Sequence, residues 1–158
     1  MREAETTAEV TPETIDLNGT WKLVSNELWR DGQCINAYFS GRDPVAFIHY
    51  LPGQRMAFLN ADGGRPRTAS DDRRAMTDVE RIAAAKTFHA YCGPYDRDGD
   101  TLVHHLEVSF FENDTGTDYV RKIGIEGRYL TLSSLPMPHP DGPVTLKLTW
   151  DRIAPGPL

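Results

Sequence analysis

The chain has 158 residues, of which 39% are hydrophobic and 25% are charged, and its 23 acidic and 17 basic side chains give a formal net charge of −6. This composition is typical of one ordinary folded domain with a single core. The acidic balance argues against a nucleic-acid or anionic-membrane partner, because binding of phosphates needs a cationic surface, and no run of about 18 apolar residues predicts a transmembrane span.

The N-terminal segment, residues 1–14, is polar and shows neither alternation nor helical periodicity, so we assign it to a flexible tail. The stretch after Met1 is acidic and Thr-rich instead of basic and then apolar, and we therefore expect a cytoplasmic protein without a signal peptide. Residues 15–153 form the predicted domain. Residues 154–158 contain two prolines and a glycine, which predicts a second short tail.

Short apolar stretches separated by turn signals follow one another along the domain. Pro52-Gly53 between two such stretches is a hairpin signature. Short strands at regular spacing favour an antiparallel meander, and closing the meander into a barrel removes its edges. The sequence therefore predicts an all-β, up-and-down antiparallel barrel. The predicted strands are Thr20–Arg30, Val45–Leu51, Arg55–Asn60, Thr87–Tyr95, Thr101–Glu112, Tyr119–Glu126, Tyr129–Leu135 and Val144–Ile153.

One segment has helical character instead. Thr77 and Glu80 fit a capping box, in which each side chain satisfies an otherwise unpaired amide, and apolar residues follow at helical spacing. We predict one short α-helix at about Asp78–Lys86. The preceding stretch, Ala61–Met76, is rich in Gly, Arg and Asp and predicts a long loop that could act as a lid over the barrel mouth.

Alternation along each strand predicts which side chains face the interior. His104 shares a face with apolar residues, so we expect it inside and His105 outside. The same rule carries Arg121 inside, and Glu27 as well unless a bulge reverses the order of the first strand. The other candidate lining residues on inward faces are Tyr50, Met56, Phe58, Asn60, Tyr91, Phe110, Leu132 and Ser134.

An interior with this many polar groups is unlike a dry core. Each unpaired buried polar group would cost about 1 to 3 kcal/mol, and a charge would cost more. Either these groups pair with one another or they line a wet cavity, and a barrel of about eight strands has room for one small ligand.

The chain resembles a bacterial and fungal family of lipocalin-like domains. The resemblance begins with Asn18–Ser25, which reads NGTWKLVS, and spans about Leu17–Ile153. It implies a small calycin barrel with an internal cavity, and such barrels include carriers of hydrophobic compounds and metal-free enzymes that isomerise, cyclise, dehydrate or decarboxylate small molecules. It also implies that Arg152 stacks over Trp21 at the closed end. The other matching segments are Tyr50–Pro52, Tyr91–Tyr95, His104–Ser109 and Leu148–Arg152.

The leading functional hypothesis is a cofactor-independent isomerase, cyclase or lyase that acts on a small, partly apolar oxygenated metabolite, for example in secondary metabolism. The candidate catalytic residues are His104, Arg121, Tyr91 and Glu27. His104 would move a proton, while Arg121 and Tyr91 would stabilise negative charge on a carbonyl oxygen. The candidate substrate-binding residues are Tyr50, Met56, Phe58, Asn60, Phe110, Leu132 and Ser134.

Two other interpretations stay open. The protein could be a non-catalytic carrier of a small hydrophobic ligand, or its polar groups could form a closed network without any ligand. In that network His104 would bond to Tyr91 or Arg121, and Arg121 would pair with Glu27.

Nothing in the sequence predicts a metal or a cofactor. Cys34 and Cys92 are too few for a zinc knuckle, and the motifs HxH, HExxH, the P-loop and the dinucleotide fingerprint do not occur. We therefore expect no cofactor, and a small hydrophobic or oxygenated molecule as the partner. Trp29 or Phe111 could mark the face of a homodimer.

Overall fold

The computed structural model describes residues 8–36 and 43–156, and most of these residues belong to one antiparallel sheet. Residues 1–7 of the expected N-terminal tail and residues 157–158 of the expected C-terminal tail lie outside the described part. Short 3₁₀ helices lie at Arg73–Ala75 and Glu112–Asp114. The other elements are β1 (Gly19–Arg30), β2 (Gln33–Asn36), β3 (Val45–Leu51), β4 (Arg55–Ala61), α1 (Asp78–Lys86), β5 (Phe88–Asp98), β6 (Thr101–His105), β7 (Val108–Ser109), β8 (Asp118–Glu126), β9 (Tyr129–Ser134) and β10 (Thr145–Pro155).

Eight of the described strands close into a barrel. Their order around the barrel is β1, β3, β4, β5, β6, β8, β9 and β10, and β10 pairs back onto β1 from Gly19↔Pro155 to Trp29↔Thr145. Outside this ring, β2 pairs with β1 and β7 pairs with β5. The predicted antiparallel up-and-down barrel is confirmed. The last strand continues to Pro155, two residues into the expected C-terminal tail.

The predicted helix is confirmed, together with its cap. The amide of Glu80 donates to Thr77 Oγ1 at 3.2 Å, and the amide of Thr77 donates to the Glu80 carboxylate at 2.8 Å. No residue of α1 is buried; Val79 is 77% and Ile82 is 55% exposed. The helix therefore lies on the outside of the barrel and buries little apolar surface.

The predicted strand Thr101–Glu112 is interrupted in the structure. The amide of Leu106 donates to the backbone carbonyl of Thr117, and the amide of Glu107 donates to the backbone carbonyl of Cys92. The chain also passes very close to Gly93, where a Cβ atom would lie 1.8 Å from the carbonyl oxygen of His105. Regular pairing therefore stops after His105, and a separate short strand, β7, follows.

This interruption reverses the faces of the residues after Leu106. Leu106 is still buried, in phase with His104, but beyond it Ser109 is buried, whereas Val108 is 54% and Phe110 is 51% exposed. The prediction that Phe110 faces the interior is wrong, because alternation holds only while the ladder is continuous.

A bulge in β1 has the same effect on Glu27. The pairing of β1 with β10 shifts register between Leu23 and Ser25. Beyond the shift Asn26 and Leu28 are buried. Glu27 consequently faces outward, where its carboxylate accepts a hydrogen bond from Trp29 Nε1 at 2.8 Å. The expectation that Glu27 lies inside is wrong, because the bulge reverses the order of inward and outward residues in this strand.

The closed end of the barrel is packed around two tryptophans. Trp21 and Trp150 are 1% and 0% exposed, and Trp21 Nε1 donates to the carbonyl of Leu17 at 2.8 Å. The guanidinium of Arg152 lies 4.4 Å from the centroid of the Trp21 ring and donates to the carbonyl of Asp16. The predicted stacking of Arg152 over Trp21 is confirmed.

The segment before β1 is bound to the barrel. Arg97 donates one hydrogen bond to the carbonyl of Pro12 and one to that of Ile15, both at 2.5 Å. Pro12 belongs to the expected tail, so this part of the tail is held against β5.

Candidate functional site

A cavity of about 650 Å³ lies inside the barrel and is lined by strands β4, β5, β8, β9 and β10 together with neighbouring loops. Its walls are largely aromatic and aliphatic, and a few polar groups interrupt them. Apolar walls with a few placed polar groups are typical of small-molecule sites. The apolar lining includes Phe58, Phe88, Tyr91, Leu146 and Leu148, and the polar lining includes Asn60, His89, Arg121 and Ser134, with Asp62, Lys86 and Asp118.

Two aromatic side chains form one wall through the pairing of β4 with β5. Phe58 lies opposite Tyr91, and Asn60 lies opposite His89. Directly opposed residues project from the same face of a sheet. The rings of Phe58 and Tyr91 stack with centroids 4.8 Å apart, and the His89 ring meets the edge of Phe58 at 6.1 Å. The register thus places an imidazole and a phenol side by side in the cavity.

Strand β8 supplies an arginine to the lining. Tyr119 and Arg121 both lie on its inward face, and the Arg121 guanidinium lies 4.8 Å from the centroid of the Tyr119 ring. Arg121 Nη1 donates to the carbonyl of Val120 at 3.2 Å. No carboxylate of the described residues forms an ion pair with Arg121. Ser134 lies directly opposite Arg121 on β9.

The two phenols beside Arg121 are held protonated. Burial raises the pKa of Tyr91, and the nearby Arg121 guanidinium opposes this increase. Burial also raises the pKa of Tyr119, and its hydroxyl donates to Asp114 Oδ2 at 2.5 Å, which raises that pKa further. Each hydroxyl can therefore act as a hydrogen-bond donor at neutral pH.

His104 lies inside the barrel, as predicted, but it does not line the cavity. Its side chain is 1% exposed, and its Nε2 lies 2.9 Å from the hydroxyl of Tyr50. Nδ1 is buried and has no partner among the described residues. Burial lowers the pKa of His104 to about 3, with smaller contributions from Arg121 and His105. The ring is therefore a neutral group of the core at neutral pH.

The other predicted site residues separate into three groups. Phe58, Asn60, Tyr91, Arg121 and Ser134 line the cavity. Tyr50, Met56 and Leu132 face inward but belong to the fully buried core, with 0%, 2% and 1% exposure. Glu27 and Phe110 lie outside the cavity; Phe110 contacts the edge of Phe88 at 6.2 Å and lines a separate surface groove beside α1.

His89 also lines the cavity, although no role was predicted for it from the sequence. Burial lowers its pKa, and the carboxylate of Asp114 opposes this effect. No described residue forms a hydrogen bond with its ring. The signal was present in the sequence, because the alternation that places Tyr91 inside places His89 on the same face.

Two features are absent from the described residues. Within 8–36 and 43–156, no three His, Cys, Asp or Glu side chains come together as a metal-binding group. The described part of the chain also contains no helix that is long and apolar enough to cross a lipid bilayer.

Comparison with known proteins gives one match. The model of a family described as lipocalin-like domain matches residues 18–153. No curated protein and no solved structure gives a significant match. The matched region contains the whole cavity lining and every described strand except the last two residues of β10.

Proposed function

This chain belongs to the lipocalin-like domain family, and from that premise we propose that its barrel binds a small, partly apolar, oxygenated molecule. The observation that carries the proposal is the cavity of about 650 Å³, in which aromatic walls surround Arg121. Apolar walls supply most of the binding free energy through burial, and the few polar groups orient the ligand.

Binding of the neutral fluorescent probe N-phenyl-1-naphthylamine tests this proposal. Leu146 lines the cavity, so Leu146→Trp would fill part of it and should weaken probe binding by about tenfold, which corresponds to about 1.4 kcal/mol. Leu59→Trp is the matched control, because Leu59 lies on the outer face of β4 and is 40% exposed. The proposal fails if neither this probe nor its anionic sulfonate analogue binds, or if Leu146→Trp and Leu59→Trp bind the neutral probe equally.

A finer proposal is that the protein is a metal-free isomerase, cyclase or lyase that works by proton transfer. It is supported by the imidazole of His89, which lies in the same cavity as the guanidinium of Arg121. His89 would take a proton from a carbon next to a carbonyl group, while Arg121 and the Tyr91 hydroxyl would stabilise the enolate oxygen. His104 is unsuited to this step, because it lies outside the lining and has a pKa of about 3.

Deuterium exchange distinguishes the enzyme from the carrier. Compounds that bind the protein are incubated with it in D₂O, and mass spectrometry measures deuterium incorporated at carbon. The enzyme predicts exchange that His89→Gln abolishes and His49→Gln retains, since His49 hydrogen-bonds to Thr20 on the outer face. Recovery of every bound compound without deuterium would contradict the enzyme and favour the carrier.

We also propose a cytoplasmic location and a homodimer that uses Trp29 or Phe111. Phe111 is 55% exposed, and Trp29 is half-buried beside Glu27. Cell fractionation tests the location. Sedimentation of the wild type and of Phe111→Asp tests the dimer, and a monomeric wild type would contradict it.

A further inference from the structure

We infer that the molecule bound in the cavity is an anion, an organic acid whose carboxylate, or an equivalent acidic oxygen group, is held by Arg121. This inference rests on the proposed binding function and names the class of ligand. It is carried by the state of Arg121, a cation that lines the cavity without an ionic partner among the described residues.

The guanidinium of Arg121 has more N–H hydrogen-bond donors than the described residues use. An arginine carries five N–H donors in a planar fork. The described residues use few of them: Nη1 donates to the Val120 carbonyl, and the guanidinium also forms a hydrogen bond with the Tyr91 hydroxyl. The stacked Tyr119 ring covers one face of the group and fixes its plane. A planar fork held in this way matches the two oxygens of a carboxylate.

Among the described residues, no acidic side chain neutralises Arg121. Asp62 lines the same cavity but forms no ion pair with it, and three other acidic side chains have different partners. Asp114 accepts the hydroxyl of Tyr119 at 2.5 Å. Asp118, three residues before Arg121 on β8, lies 2.7 Å from Nδ1 of His105. Glu27, which the sequence suggested as the counter-ion, lies on the outer face. The positive charge is therefore left for a ligand.

A partly buried cation without a counter-ion costs free energy. A half-buried charge loses part of its hydration and regains that free energy only when an opposite charge or hydrogen-bond acceptor approaches. Ser134 faces Arg121 from β9, and its Oγ accepts the amide of Leu146 at 2.9 Å, so its hydroxyl proton is free to point to a second acceptor. Two kinds of donor thus meet on one side of the cavity.

The test compares two fluorescent probes that share one aromatic body. 1-Anilinonaphthalene-8-sulfonate carries an anionic oxygen group, and N-phenyl-1-naphthylamine lacks it. The wild type should bind the sulfonate at least about tenfold more tightly than the neutral probe, and Arg121→Gln should reduce the ratio of the two dissociation constants to about one. Arg121→Lys should retain part of the preference, because it keeps the charge but loses the fork.

Arg128→Gln is the matched control. Arg128 also stacks on a tyrosine, at 5.2 Å from the Tyr129 ring, but it lies outside the cavity and pairs with Asp151. This variant should keep the wild-type preference. Near-ultraviolet circular dichroism of each variant confirms that its aromatic packing is native.

A second comparison addresses the carboxylate itself. Decanoate should displace the neutral probe from the wild type at least about tenfold more effectively than methyl decanoate, which has the same chain and no charge. Arg121→Gln should remove the difference.

The failures of the two proposals are distinguishable. If neither probe binds the wild type, the binding proposal and this inference both fail. If both probes bind equally, or if natively packed Arg121→Gln keeps the wild-type preference, binding stands and the anion inference is overturned.

Discussion

The hydroxyl of Tyr50 and Nε2 of His104 lie 2.9 Å apart in the fully buried core, where the two side chains are 0% and 1% exposed. Each is the hydrogen-bond partner of the other, and neither lines the cavity. The rings of Tyr50 and Tyr91 both contact His104, with centroids 5.8 Å and 6.1 Å from it. This pair therefore supports the aromatic wall of the cavity from behind.

The first prediction concerns this pair. His104→Ala should lower the free energy of unfolding by about 3 kcal/mol, because it leaves both a void and an unpaired buried hydroxyl on Tyr50. Urea denaturation measures the change. His49→Ala, on the outer face, should cost about 1 kcal/mol or less. A loss of similar size in both variants would show that the buried pair contributes no more to stability than His49 does on the outer face.

The second prediction is a pH dependence with a definite sign. The pKa of His104 is lowered from 6.5 to about 3 in the folded protein, first by burial and then by Arg121 and His105. Between these values the unfolded chain binds a proton that the folded protein does not, so stability falls as the pH is lowered. The slope contributed by His104 is at most about 1.4 kcal/mol per pH unit.

The comparison of wild type with His104→Gln isolates this contribution. His89 acts with the same sign, since its pKa is also lowered, and His105 acts with the opposite sign, since its pKa is raised. Both remain in the variant and cancel in the difference. The wild type should lose more stability than His104→Gln between about pH 6.5 and pH 5. Parallel losses would rule out His104 as the source.

The sequence predicts the face of a residue well where a ladder is continuous. Phe58 on β4, Arg121 on β8 and Ser134 on β9 are inside, as alternation requires. The prediction of the face fails at Glu27 and Phe110, because the position of a bulge depends on the pairing with the neighbouring strand. At Phe110 the cause is the close approach of His105 to Gly93 on the neighbouring strand β5, a contact that the alternation within one strand does not reveal.

Alternation predicts which face of the sheet a side chain occupies, but it does not predict how far along the barrel axis that side chain lies. His89 and His104 both point inward, and the pattern that identified His104 gave no means of telling which of them lines the cavity. The difference arises from register. His89 is opposite Asn60, which lines the cavity, whereas Tyr95 is opposite His104 and belongs to the buried core.

The third prediction concerns His105, which bridges two strands on the outside of the barrel. Its Nε2 lies 2.8 Å from Asp96 on β5, and its Nδ1 lies 2.7 Å from Asp118 on β8. The hydrogen bond with Asp96, followed by that with Asp118, raises the pKa of His105 above 6.5. The stability gained from this arrangement is complete below pH 6.5 and is lost as the pH rises through the folded pKa.

Titration of the ring C–H signals by NMR measures this pKa. Asp96→Asn should lower it, and Asp98→Asn, at an exposed position of the same strand, should leave it unchanged. A wild-type His105 that titrates at or below 6.5 would contradict the bridge.

The fourth prediction concerns Asn60. Its Oδ1 is buried and has no hydrogen-bond partner among the described residues. Asn60→Leu should raise the free energy of unfolding of the ligand-free protein by about 1 kcal/mol, because it removes an unsatisfied acceptor. Asn113→Leu, at an exposed position of a 3₁₀ turn, should give no such increase. Thermal unfolding of both variants provides the comparison, and a destabilised Asn60→Leu protein would show that the amide is satisfied.

The last prediction concerns Gly93, where β5 passes beneath the break between β6 and β7. A Cβ atom at this position would lie 1.8 Å from the carbonyl oxygen of His105 and 3.0 Å from the amide of Glu107. Both are backbone atoms, so no side-chain rotation relieves the clash and the strands must separate. Gly93→Ala should therefore cost about 3 kcal/mol, whereas Gly64→Ala, with open space but a φ of +69°, should cost about 1 kcal/mol. Because Tyr91 lies two residues away on the same face, only Gly93→Ala should also shift the NMR signals of the cavity aromatics. A Gly93→Ala protein as stable as Gly64→Ala would show that the break in the ladder does not depend on this glycine.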